Sequence, residues 1–414
     1  MSTRRVLLVC YYFPPLGMGG IGRPLNLFEE LPKLGWDCHV LTVKGVAYRG
    51  YERELAQSLD QTRIHRAGSF DPQRLLYLLG VRKVAGSAIE RSRAVSSRFF
   101  PDSKVGWVGP AVRSALRICH DYKIDVIMTT SPPVSCHLVG QQLIRDYDIP
   151  WVADFRDYWT VEPVERTYDS PSFVGRGNEL KDQIRAQATA ITAVNESIGS
   201  YLEADEVIRN AYNEAQAAMW TAPPNSTYFS IGVVGHQSGS AIWDPLLDAI
   251  AAAREIEPLM DQSIELVQIG QVDQAAFGQS LQQRSLRCRL SGHGMVSRRR
   301  ALELLNGSHL IYIGLPNTPG VEFTPGRVWD ALPSGRPILC NVSPLSEIAG
   351  VLLPTSNACC FDPGRMADAV QFLVGRYNEF RQGRLKIEPR PAYAEPYGSM
   401  EMARKFVSLF ERIV

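Results

Sequence analysis

The chain lacks any apolar run near the roughly 18 residues of a membrane-spanning helix, so no such helix is expected. It also lacks a charge excess, with 44 Lys and Arg against 43 Asp and Glu in 414 residues. That balance argues against a general nucleic-acid binder, which needs a basic face. None of the eight cysteines (10, 38, 119, 136, 288, 340, 359 and 360) forms a C-x-x-C pair. Several lie in apolar runs, where a thiol acts as a small buried hydrophobe. Neither a disulfide framework nor a zinc site is expected, and a reducing cytoplasm is. There is no low-complexity tract and no close repeat. At the start, Arg4 and Arg5 precede an apolar stretch that lacks a small-residue cleavage site. It reads as a first strand, not a signal peptide.

The chain does have an ordinary soluble composition, 45% hydrophobic and 21% charged. Its length suits two or three domains with sound cores. Val6–Phe13 is a continuous apolar run of strand length, as in a strand buried on both faces. A glycine-rich loop, Leu16–Gly22, follows. A helical pattern then runs through Leu25, Phe28 and Leu31 to Gly35, and Asp37–Val43 reads as the next strand. This βαβ unit implies parallel pairing. Strands at Asp125–Thr130, Pro150–Asp154 and Ala190–Val194 and a helix at Val134–Tyr147 continue the series. The Pro-rich segment Thr221–Thr227 marks a join. After it the alternation restarts, with strands at Tyr228–Val234, Ser263–Ile269, Leu310–Ile313 and Arg336–Val342. Ser399–Ile413 closes the chain as an amphipathic helix. The expected fold is α/β, two Rossmann-like doubly wound domains over 1–220 and 221–395, facing a cleft. The helix of 396–414 is expected to pack back toward the first domain. Ligands of such sheets bind outside the carboxyl ends of the strands.

Gly17, Gly19 and Gly22 formally satisfy G-x-G-x-x-G between strand and helix. A dinucleotide site also needs an acid at the end of the second strand. That strand ends Thr42-Val43-Lys44, so nicotinamide and flavin binding are not expected. The loop can still bring backbone N–H groups to an anion at a helix N-terminus, with Arg23 adding charge. A tight turn without ligand is the plainer alternative.

Val321–Val342 is the most informative segment. Glu322 and Asp330 are separated by seven residues, with Thr-Pro-Gly-Arg between them. Thr324 suits an N-cap and Pro325 a first helical position. The first amides of that helix, at Gly326, Arg327 and Val328, would point outward and favour an anion such as a diphosphate. A carboxylate accepts hydrogen bonds from vicinal sugar hydroxyls. Two solvated surface acids are the alternative, but the apolar strands on both sides favour a site.

These segments together resemble glycosyltransferase family 4, the nucleotide-sugar-dependent, retaining enzymes of the GT-B fold. The likeness covers nearly the whole chain. YYFPPLGMGGIGRPLNLFEELPKLGWDCHVLTV is similar to the family's opening. SPPVSCHLVGQQLIRDYDIPWVADFRDYW resembles the segment carrying an R-D-x-W or His-Asp pair, and VIRNAYNEA the segment near the interdomain linker. EFTPGRVWDALPSGRPIL resembles the E-x7-E signature. The resemblance implies a hexosyl-type transfer, with a donor nucleotide-sugar held by the second domain and an acceptor by the first. No metal and no cofactor are required. It assigns the ribose hydroxyls to Asp330, the donor sugar to Glu322 and the diphosphate to the amides of Gly326–Val328, with Arg327 in place of the usual Lys. Gly19 and Gly20 would face the phosphates or acceptor, and Arg156 and Asp157 would lie near the reacting centre. Asp157 is a candidate general base; a structural partnership with Arg156 is the alternative. Three departures stand out. Asp330 replaces the usual Glu, and Ala211 stands where Gly is common. The stretch Gly235–Ala241 lacks the family's Arg and Lys. His236 could stand in for one, with Arg23 and Arg327 as further cations.

Arg74–Lys104 carries seven basic residues against Glu90 and Asp102, beside Leu75–Leu79, Phe99, Phe100 and, just beyond, Trp107. Cations beside exposed apolar groups suit an anionic membrane surface. Ordinary helices with a basic solvated face are the alternative. The expected location is therefore cytoplasmic, with peripheral attachment to the inner membrane face. Three functions remain open. They are a glycosyltransferase of lipid-linked or polysaccharide intermediates, one acting on a soluble small-molecule acceptor, and a catalytically silent partner subunit of the same fold.

Overall fold

Arg4–Val9 forms β1, with Val6, Leu7, Leu8 and Val9 all buried, which is why its sequence shows no polar alternation. A computed structural model describes residues 4–17, 20–46, 51–72, 74, 99–160, 171–235, 242–270, 272–315, 322 and 324–414. The chain divides into two compact units, Met1–Ala211 with Ser399–Val414, and Tyr212–Gly398. Each is built on a parallel sheet, as the sequence led us to expect.

In the first unit, β2 (Trp36–Val43), β3 (Ile64–Ala67), β4 (Val126–Ser131), β5 (Trp151–Phe155), β6 (Ala190–Ala193) and β7 (Glu206–Val207) join β1 in the order β3-β2-β1-β4-β5-β6-β7. Val6 pairs in register with Cys38 on one side and Val126 on the other. The helix Gly22–Glu30 continues into a 3-10 turn that Gly35 ends at φ +84°, a left-handed geometry natural to glycine. The carboxyl-terminal helix Ser399–Ile413 belongs to this unit. Its Met402, Phe406, Leu409 and Phe410 share a core with Leu25, Phe28 and Trp36. Burying side chains of this size stabilises by about 1.5–3 kcal/mol each.

In the second unit, β8 (Phe229–Val234), β9 (Ile264–Ile269), β10 (Arg289–Gly292), β11 (Leu310–Gly314), β12 (Ile338–Asn341) and β13 (Ala358–Phe361) run in the order β10-β9-β8-β11-β12-β13. Leu310 and Tyr312 face one core with Phe229, Leu246 and Ile250. Ile311 and Ile313 face the other with Val328 and Trp329. That is the period-two alternation of a strand covered on both faces. The expected join at 220/221 falls inside this unit, because Tyr212, Ala217 and Trp220 are part of its core.

Candidate functional site

Both sheets reverse strand order once, between β1 and β4 and between β8 and β11. Ligands of open parallel sheets bind outside the carboxyl ends at such points. An arginine singled out by the sequence sits at each.

At the β8/β11 point, the helix Gly326–Ala331 presents Arg327, whose Nη2 donates to Gly314 O at 2.6 Å, the carboxyl end of β11. The same guanidinium packs against Gly235, just past β8, where φ is +128° and a Cβ would collide with it. Burial lowers the Arg327 pKa; Cys340 and Tyr312 oppose that. Pro325, not Thr324, is the N-cap residue, with no side-chain cap. Its extended ψ of 146° places the ring before the first helical turn, so the helix begins one residue later than expected. Val328 N donates to Pro325 O at 3.1 Å, so that amide is not one of the outward donors. The first-turn amides left for an anion are those of Gly326 and Arg327.

Asp330 follows on the same helix. Its Oδ1 accepts from Arg298 Nη2 at 2.6 Å, and both side chains are about a third exposed (34% and 27%). Asp330 and Arg327 line one cavity of about 110 Å³ with Arg298, Trp220, Leu302 and Ile311. Glu322 is half-buried and is not among the residues lining that cavity; burial, then the Glu347 carboxylate, raise its carboxyl above the usual range, while the Glu347 amide opposes them. The structure therefore joins Asp330 and Arg327 at one cavity wall that Glu322 does not line. His236 and Gly19 lie outside the described residues.

At the β1/β4 point, Arg156 follows β5 and reaches back. Its Nε donates to Ser131 O at 2.8 Å, Nη1 to Gly20 O at 2.5 Å and Nη2 to Pro132 O at 3.3 Å. It fastens the glycine-rich loop to the end of β4. Gly20 itself sits at φ +94°, the left-handed region natural to glycine. Asp157 follows Arg156 in the chain as an exposed residue.

Arg23 is a correction. It is 4% exposed, with its guanidinium held by both oxygens of Asp154 and by Arg209 O. It is an internal ion pair, so its charge is already matched. Arg74 and Lys104 are also corrected as membrane-facing cations. Both are buried beside Asp71, and Trp107 is fully buried. Residues 75–98 of that basic segment lie outside the described residues. Sequence reasoning missed Arg298. The signal was there: three arginines open the helix Arg298–Leu305, yet Arg299 and Arg300 both pair with Glu303, leaving Arg298 to another element.

Sucrose-phosphate synthase from Thermosynechococcus elongatus aligns at a TM-score of 0.65 and 12% identity, over 99% of both chains. A trehalose 6-phosphate synthase from Burkholderia multivorans aligns at 0.61 and 10%, over 100% of this chain and 97% of the other. A glycosyltransferase from Rickettsia africae aligns at 0.60 and 13%, over 100% and 99%. The fold is GT-B, two Rossmann-like units. No family model and no curated protein matches the chain. Among the described residues, no helix is long and apolar enough to cross a membrane, and no group of three or more His, Cys, Asp or Glu side chains is placed to hold a metal.

Proposed function

We propose that the chain is a glycosyltransferase that moves a hexosyl group from a nucleotide-sugar to a lipid-linked or polysaccharide intermediate, with retention at the anomeric carbon. The carrying observation is the cavity at the reversal point of the second sheet, walled by Asp330 and Arg327. A base fits an apolar wall, a carboxylate takes ribose hydroxyls, and an arginine beside a helix start takes a diphosphate. The neighbours' names, two sugar-phosphate synthases and a glycosyltransferase, point the same way.

In this reading Asp330 binds the ribose, and the Gly326 and Arg327 amides and the Arg327 guanidinium stabilise the departing diphosphate. Glu322 contacts the donor sugar. The departing phosphate takes the acceptor proton in a front-face displacement; Asp157 is the alternative base. A thermal-shift series of ribonucleoside diphosphates and their sugars tests the donor site. Stabilisation by one base is expected, and none stabilising the protein would refute the reading.

The buried pairing of Arg23 with Asp154 leaves one fewer unmatched cation in the chain. That favours, as a second reading, a silent partner subunit. Slow hydrolysis of the stabilising nucleotide-sugar separates the two, since a silent subunit binds without turnover.

A further inference from the structure

A cation in the first turn of a helix opposes the helix dipole, whose positive end lies there. The helix Arg298–Leu305 starts with three, under a Ser297 cap that accepts from Arg300 N at 3.2 Å. Arg299 and Arg300 are offset within the helix by Glu303. Arg298 is offset from outside, by Asp330 at 2.6 Å on another helix. The two side chains meet at the wall of the apolar cavity, not in the core.

A carboxylate at such a wall has to be held if it is to read a diol. The 2.6 Å bond takes Oδ1 of Asp330 and fixes the rotamer, and Oδ2 accepts no hydrogen bond from a described residue. The short reach of Asp compared with Glu makes this aim more critical, because one methylene less leaves less freedom to correct it.

We propose that Arg298 is a positioning residue for nucleotide recognition: it holds Asp330 so that Oδ2 meets the ribose 2′- and 3′-hydroxyls, and the pair makes the site selective for ribose over 2′-deoxyribose. This rests on the nucleotide-sugar reading and adds a residue and a specificity to it. The plain alternative is a tie between two helices, with no bearing on the ligand.

The test uses the full chain and the diphosphates of adenosine, guanosine, uridine and cytidine, each beside its 2′-deoxy counterpart, followed by calorimetry. The ribose form should bind about 10-fold or more tighter, the worth of one charged hydrogen bond. Arg298→Gln should erase most of that preference, Arg298→Lys should keep part of it, and Arg298→Gln with Asp330→Asn should be no worse than Asp330→Asn alone. Melting curves run alongside show that each variant is folded. If Arg298→Gln lowers the melting temperature but leaves the ribose preference intact, Arg298 is only a tie and the inference fails while the donor-site reading stands. If no ribonucleoside diphosphate binds the wild-type chain, both fail.

Discussion

Arg23 and Asp154 form a two-point ion pair inside the first unit, Nε to Oδ2 at 3.0 Å and Nη2 to Oδ1 at 2.8 Å, with side chains 1% and 0% exposed. Burial alone would push the Asp154 carboxyl up. Arg23 and the hydroxyls of Thr130 and Thr192 overcome this and hold it below the usual range. The Arg23 guanidinium also lies over the Phe406 ring at 4.9 Å, tying the carboxyl-terminal helix to the same pair. Removing one partner leaves an uncompensated buried charge. Arg23→Met is therefore expected to cost about 3–5 kcal/mol in denaturant unfolding, and Asp154→Asn with Arg23→Met less than the sum of the single changes. Since the folded carboxyl is held low, this stability is present above the unfolded carboxyl range near pH 4. It is lost as the pH falls further, through the folded value.

His309 and Ser230 make a reciprocal pair. Ser230 N donates to His309 Nδ1 at 3.1 Å, and His309 N donates back to Ser230 O at 2.7 Å. Burial, then Arg336, push the ring down to about 4. Below about pH 6.5 the unfolded chain takes up this proton and the folded chain does not. The second unit should therefore lose stability from pH 6.5 toward 4. His309→Gln should flatten that slope in melting curves against pH; an unchanged slope would remove His309 as its source.

Two glycines make an opposed pair. A Cβ at Gly235 would strike the Arg327 guanidinium, and its φ of +128° disfavours other residues. Gly235→Ala is expected to cost about 1–3 kcal/mol and to weaken diphosphate binding by displacing Arg327. Gly278 sits in the helix Gln274–Gln283 with nothing within 4 Å of its would-be Cβ. Gly278→Ala should instead stabilise by about 0.4–1 kcal/mol without touching binding. Thermal midpoints and calorimetry measure both.

Glu322 and Asp330 should separate kinetically. Asp330→Asn is expected to raise the donor KM about 10–100-fold, because it removes one charged hydrogen bond to the ribose. Glu322→Gln should lower kcat more than it raises KM, if its interaction with the sugar tightens in the transition state. An unchanged donor KM for Asp330→Asn would discard the first role, and an unchanged kcat for Glu322→Gln the second.

The apolar runs at Val6–Val9 and Leu310–Ile313 marked strands buried on both faces because a covered parallel sheet has no polar side to record. The glycine and proline signals near Gly35 and Pro325 marked helix ends because only certain residues take those backbone angles. Shorter strands such as Ile64–Ala67 and Arg289–Gly292 escaped notice: four residues carry too little period, and neighbours supply the pairing.

Local pattern carries the two parallel sheets, the helix start at Gly326 to within a residue and the identity of the carboxylates near it. Which charges are free for chemistry depends instead on long-range packing. Arg23 meets Asp154 across 131 residues, Arg298 meets Asp330 across 32, and Arg156 closes on Gly20 across 136. Partners that distant are set by how strands and helices stack, and an arginine looks the same in the chain whether its charge is already matched or still open to a ligand.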